Sequence, residues 1–246
     1  MTRQDPAPEV ELSGIGVRLY GSMGALADQI LPPNEPLHHG FAVAINPEKI
    51  IKMRQDPETR AALVSATIRY ADGAGVVWAL RRRGIDATRI TGADLWERLM
   101  GRAAVRGVPV FLWGARPEVL EETVARLRAT LPTIRIGAAL HGYASEAEAD
   151  TFRSAIRDAG TGIVAVAMGS PLQEKVICRL RQACPDAFYM GVGGTFDCYT
   201  GVVQRAPLAW QERDAEWLYR LLCQPSRIKR QWKLLPYAAL VLAGRV

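Results

Sequence analysis

The sequence predicts an α/β fold: a Rossmann-like, mainly parallel sheet covered by helices, with a helical C-terminal appendage. Three observations carry this. Short apolar runs of strand length alternate with amphipathic stretches, helix-start signatures follow several of those runs, and the pattern changes after Arg205. The 246 residues, 49% apolar and 23% charged, suffice for one large core and argue against a disordered, collagen-like or disulfide-scaffold chain.

The elements follow in order. Met1 to Glu9 is polar, and the first thirty residues contain no basic, apolar, small-residue series of the secretory type, so the mature chain is expected to begin near Met1. Pro33, Pro36 and His38-His39-Gly40 form a loop before the first strong strand, Phe41–Ile45. Helices are expected over Pro47–Arg54, Glu58–Tyr70 and Ala93–Arg106, then a strand over Val108–Trp113. Helix Pro117–Leu131, strand Ile134–Ala139, helix Glu146–Ala159, strand Ile163–Ala167, helix Pro171–Ala183 and strand Phe188–Val192 complete the alternation. Ser145 with Glu148, and Ser170 with Pro171 and Gln173, fit the capping box, in which a hydroxyl and an N3 side chain satisfy orphan N–H groups. After Arg205, Ala209–Leu222 reads as an amphipathic helix. Pro225 interrupts it, and a second, basic helix runs to Leu235, before Pro236. The expected units are thus a core over 1–205 and an appendage over 206–246. The apolar run Leu234–Ala243 is too short for the roughly 20 residues that cross a bilayer.

Charge is unevenly placed. The formal net charge is +6, and residues 220–246 hold Arg220, Arg227, Lys229, Arg230, Lys233 and Arg245 with no acid, which leaves residues 1–219 neutral. The tail's charges are interleaved with Trp232, Leu234, Leu235 and Tyr237, a composition suited to an anionic lipid interface and not to nucleic acid. Cys178, Cys184, Cys198 and Cys223 form no C-x-x-C pair and no ligand spacing with the three histidines, so reduced thiols are expected, with neither zinc nor disulfides.

Absent motifs narrow the chemistry. There is no G-x-G-x-x-G, no G-x-x-x-x-G-K-[ST] and no D-x-D, so neither the common phosphate cradles nor an acidic pair for Mg²⁺ or Mn²⁺ is signalled. What remains is a set of polar residues at element ends: Asn46, Asp72, Arg89, Gln173, Glu174, Asp197 and Arg205. In a parallel sheet, loops at the carboxyl ends of strands form the ligand crevice, and helix N-termini there offer N–H groups to anions.

In order along the chain stand Asn46-Pro47-Glu48, DGAGVV, RITGADL, FLWGARP, GSPLQE, GVGGTFD, RAPLAW and EWLYRLLCQPSRIKR. Together, from about Glu11 to Leu235, they resemble the WecG/TagA/CpsF glycosyltransferases of bacterial polysaccharide assembly. The resemblance implies an inverting enzyme that moves a hexose (glucose, N-acetylmannosamine or its uronic acid) from a UDP-sugar to a polyprenyl-diphosphate-linked sugar. It also implies work at the cytoplasmic face of the inner membrane, as a peripheral protein, with no metal or other cofactor. Relatives often carry a hydroxyl residue two before the asparagine, where this chain has Ala44. That departure leaves the donor sugar open.

The resemblance assigns Asp72 as the base that deprotonates the acceptor hydroxyl; by itself the D-G pair also reads as a turn. Arg89 is either a donor-phosphate ligand or a surface arginine near a helix start. Gln173 serves the site, caps its helix, or does both. Asn46 orients substrate hydroxyls or caps the helix begun at Pro47. Asp197 and Arg205 read as structural more readily than as ligands. The resemblance places phosphate-binding arginines at Arg220, Arg227 and Arg230; otherwise these form a solvated basic face or an electrostatic membrane anchor. A non-catalytic nucleotide-sugar binder on the same fold is the competing reading, and a homo-oligomer is compatible with either.

Overall fold

The computed structural model describes residues 7–207, 209–210, 216–223, 232 and 234–246. It contains one eight-stranded sheet in the order β1-β2-β4-β3-β8-β7-β5-β6. A hairpin, β1 (Glu9–Leu12) and β2 (Ile15–Arg18), lies antiparallel at one edge, and all other pairings are parallel. The strands that follow are β3 (Gly40–Ile45), β4 (Ile68–Ala71), β5 (Val110–Gly114), β6 (Ile136–Leu140), β7 (Ile163–Ala167) and β8 (Phe188–Gly191). β3 and β7 are buried at every position, as expected of strands covered on both faces.

Alternation along each strand divides the core. Phe41, Val43 and Ile45 of β3 point to one face, and Ala42 and Ala44 to the other. The first face is covered by α2 (Pro47–Gln55), α3 (Pro57–Val64), α4 (Ala74–Arg82), α7 (Glu146–Ala159) and α8 (Leu172–Ala183). The second is covered by α1 (Met23–Ile30), α5 (Gly92–Arg106), α6 (Pro117–Thr130) and α9 (Thr195–Tyr199). Among the described residues that follow stand α10 (Glu216–Cys223) and α11 (Leu235–Leu242).

Several sequence expectations need correction. The hairpin, α1 and α4 were not expected. The helix expected over Glu58–Tyr70 ends at Val64, and its last residues instead form β4, whose Ile68 to Ala71 pair with Ala42 to Ile45 of β3. Pairing with a central strand decides the state of a four-residue apolar run that helical periodicity also fits. The capping box at Ser145 and Glu148 is formed in both directions. The one expected at Ser170 is not: Pro171 holds the N-cap position without a side-chain cap, and the Gln173 side chain is engaged elsewhere. Pro236, expected beyond a helix end, sits in the first turn of α11, where its missing N–H costs nothing; the basic helix expected before it falls largely outside the described residues. Tyr237 and Val241 of α11 are buried against the first face. Among the described residues no helix is long and apolar enough to cross a membrane.

Candidate active site

β3 and β8 are neighbours in the sheet, yet the helices that follow them, α2 and α9, lie on opposite faces. Their chain directions therefore diverge at the carboxyl ends and open a crevice there, the topological switch point at which doubly wound sheets bind ligands. Asn46 leaves β3 at this point, Gly193 follows β8, and Asp72 leaves β4, the other neighbour of β3. The Asp72 N–H donates to the Ile45 carbonyl at 2.9 Å, which holds the two loop starts side by side.

Asn46 is a helix cap: its Oδ1 accepts from the Lys49 N–H at 3.0 Å, with Pro47 at the start of α2. That bond uses the amide oxygen and not the amide nitrogen. Gly73, the N-cap of α4, has φ +81, a conformation that favours glycine. At Gly75 an added Cβ would stand 2.6 Å from Pro47 Cγ, so the first turns of α2 and α4 meet beside Asp72 only because residue 75 lacks a side chain.

The Asp72 carboxyl is pushed up to about 6 from its ordinary 3.8. Burial is the largest cause; the Arg89 and Lys49 cations and a hydrogen bond from the Gly73 N–H oppose it, while Glu216 adds to it. Arg89, in the loop before α5, forms an ion pair of 2.8 Å with Glu216 at the start of α10. Arg205 pairs with Asp94 of α5 at 2.5 Å, the structural arrangement its sequence context suggested. Burial raises the Asp94 carboxyl, but the hydrogen bonds from Arg205 and Thr91 outweigh it and hold the group below its ordinary range.

Gln173 is only 3% exposed and lies across the end of β8. Its Oε1 accepts from the Gly193 N–H at 2.9 Å, and its Nε2 donates to Glu174 Oε1 at 3.0 Å. A Cβ on Gly191 would come within 2.4 Å of that Nε2, so the glycine of β8 makes the room. Glu174 is fully buried and receives Lys49 Nζ at 2.9 Å. Burial raises its carboxyl, but the Lys49 ammonium and the hydrogen bonds around it prevail and hold it below the ordinary range. Lys52 reaches the same loop, donating to the Ser170 carbonyl at 2.6 Å. No group of three His, Cys, Asp or Glu side chains stands together among the described residues.

A model of the glycosyl transferase WecG/TagA/CpsF family matches residues 12–246. The chain belongs to that family. It is a glycosyltransferase of cell-envelope polymer synthesis, and membership implies a nucleotide-sugar donor and a lipid-linked acceptor. The reading as a non-catalytic nucleotide-sugar binder is thereby set aside.

For this glycosyltransferase the structure brings Asn46, Asp72 and Gln173 to the strand ends around β3, and Arg89 close enough to act on the Asp72 charge. Arg220 stands on α10, with its side chain outside the described residues; Arg227 and Arg230 lie outside them entirely. Asp197 falls in the first turn of α9. Sequence reasoning missed Lys49 and Glu216 and gave Glu174 no role. A lysine three residues into a helix reads as solvent-facing, and the one available hint was the acid–base match between two helices that each follow a parallel strand.

Proposed function

We propose that the chain is an inverting, metal-independent transferase that moves a hexose from a UDP-sugar to an undecaprenyl-diphosphate-linked sugar. The carrying observation is Asp72, a carboxyl at the switch-point crevice held near neutrality by burial and flanked by the Arg89 and Lys49 cations. A base with an affinity for protons near the working pH is best suited to take one from a hydroxyl. Asp72 takes the proton of the acceptor hydroxyl as that oxygen attacks the anomeric carbon on the face opposite the nucleotide. The bond from that carbon to the diphosphate oxygen breaks, configuration inverts, and UDP leaves with the electron pair. Arginine side chains neutralise the charge that develops on the diphosphate, a role that needs no metal.

In this reading Asn46 and Gln173 orient sugar hydroxyls, and Arg89 with Arg220, Arg227 and Arg230 meets the phosphates. Residues 206–246 form a basic appendage that binds the anionic cytoplasmic face of the inner membrane, where the lipid-linked acceptor resides. The donor sugar is glucose, N-acetylmannosamine or its uronic acid. Mixing each UDP-sugar with lipid-diphosphate-linked N-acetylglucosamine or glucose and measuring UDP release tests the proposal. One donor should release UDP only when an acceptor is present; no release with any pair would refute it.

A further inference from the structure

Three strand ends are tied together by one chain of contacts. Lys49 comes from α2 after β3, Glu174 and Gln173 from α8 after β7, and Gly193 from the turn after β8. Lys49 Nζ donates to Glu174 Oε1, Gln173 Nε2 donates to that same oxygen, and the Gly193 N–H donates to Gln173 Oε1. Lys49 is 4% and Glu174 0% exposed.

We propose that Lys49 and Glu174 are positioning residues for glycosyl transfer, locking the Gln173 amide in one orientation and thereby fixing the Gly193 turn of the crevice. The chemistry of the donors requires this direction. An ionised carboxylate only accepts, so it selects the NH₂ end of Gln173 and turns the carbonyl to the Gly193 N–H. The reversed amide would set oxygen against carboxylate and NH₂ against N–H. The buried ammonium keeps Glu174 ionised, and so acceptor-only. Stability alone is a poor account of such a pair, since desolvating two ions offsets most of their attraction and an apolar pair of similar volume commonly serves as well. Lys49 has a second effect: with Arg89, Glu216 and the Gly73 N–H, it is one of the groups that set the proton affinity of Asp72, whose charge in turn acts on the neighbouring Tyr70 hydroxyl.

This inference rests on the crevice being the active site and, for its pH dependence alone, on Asp72 as base. The test is the full-length Lys49→Met/Glu174→Leu protein, with Glu174→Gln beside it as the variant that keeps side-chain shape. In the double variant the melting temperature should stay near that of the parent while kcat falls about tenfold to a hundredfold, the usual cost of a misplaced group, with donor KM little changed. The acid limb of kcat/KM should move to higher pH, because a cation beside Asp72 is gone. With ¹⁵N-glycine labelling, the Gly193 amide should exchange faster in both variants. Glu174→Gln should show the same kcat loss in smaller degree, and it carries the test if the double variant does not fold. Folded variants with parental kcat, acid limb and Gly193 exchange would overturn the proposal. So would failure of Glu174→Gln to fold, which would make the pair a folding requirement. Full turnover in Asp72→Asn would refute the base assignment alone, leaving the Gly193 exchange and kcat comparisons intact.

Discussion

Replacing Asp72 by Asn should slow turnover severely and at the same time stabilise the fold at neutral pH. The carboxyl rises from 3.8 to about 6 on folding. That is about two pKa units, or ~3 kcal/mol of penalty on the charged form at 1.36 kcal/mol per unit, an upper bound because the residue is only half-buried. Well below pH 4 the carboxyl is protonated in the folded and unfolded chains alike, and the two proteins should melt together. As pH rises from about 4 to 6 the unfolded chain releases this proton more readily than the folded one, so the parent loses stability that the Asn variant keeps. Melting temperatures measured from pH 4 to 8 should therefore diverge across 4 to 6 and run parallel above. Parental kcat/KM should fall as pH drops through about 6, and the variant should lose roughly two to four decades of turnover while retaining UDP affinity by calorimetry. A variant less stable than the parent at pH 7.5, or one with near-normal turnover, would refute the reasoning.

Chelator should leave turnover intact, since arginines are proposed to stabilise the leaving diphosphate; loss with EDTA and recovery with Mg²⁺ or Mn²⁺ would reject that. Gly191→Ala should disturb the site from outside it: a Cβ within 2.4 Å of Gln173 Nε2 displaces that amide, for an overpacking cost of about 1–3 kcal/mol and a loss of turnover measurable in a coupled UDP assay. The protein should bind anionic vesicles in a salt-sensitive way, at about 1 kcal/mol per basic residue near the surface, and replacing Arg227, Lys229, Arg230 and Lys233 by Gln should release it in a flotation assay. Point variants serve better than truncation here, because deleting the tail also removes Tyr237 and Val241 from the core.

The strands with fully apolar sequences were legible, because burial on both faces leaves a continuous hydrophobic run that no solvent-exposed element shows. β4 was not: Thr67 to Ala71 continues the apolar pattern of α3 without glycine or proline between, and only the partner strand distinguishes the two states. The hairpin of β1 and β2 escaped for a related reason, each strand being four residues long with its meaning set by pairing. Asn46 could be singled out because a polar residue directly after an apolar strand falls at the crevice rim, whereas Asp72 and Gln173 were singled out by the family resemblance of their motifs. The partners of those residues could not. Lys49 and Glu174 carry charges that sequence reading assigns to solvent, and they are buried because each cancels the other across 125 positions of chain. Glu216 is likewise visible only once α10 has been placed against Arg89.

The pairing of β3 with β8 has a consequence for synthesis. Gly40 aligns with Phe188 across about 150 residues, so the centre of the sheet closes only after most of the chain has emerged. A ribosome-bound fragment ending before β7 would contain Asn46, Asp72, Lys49 and Arg89 but lack Gln173, Gly193 and Glu216. Non-local pairings of this kind form slowly, and until they form the open flank of β3 is an unpaired edge of entirely buried type, available to neighbouring chains. The step that assembles the crevice is thus also the step that removes the nascent chain's principal hazard of aggregation.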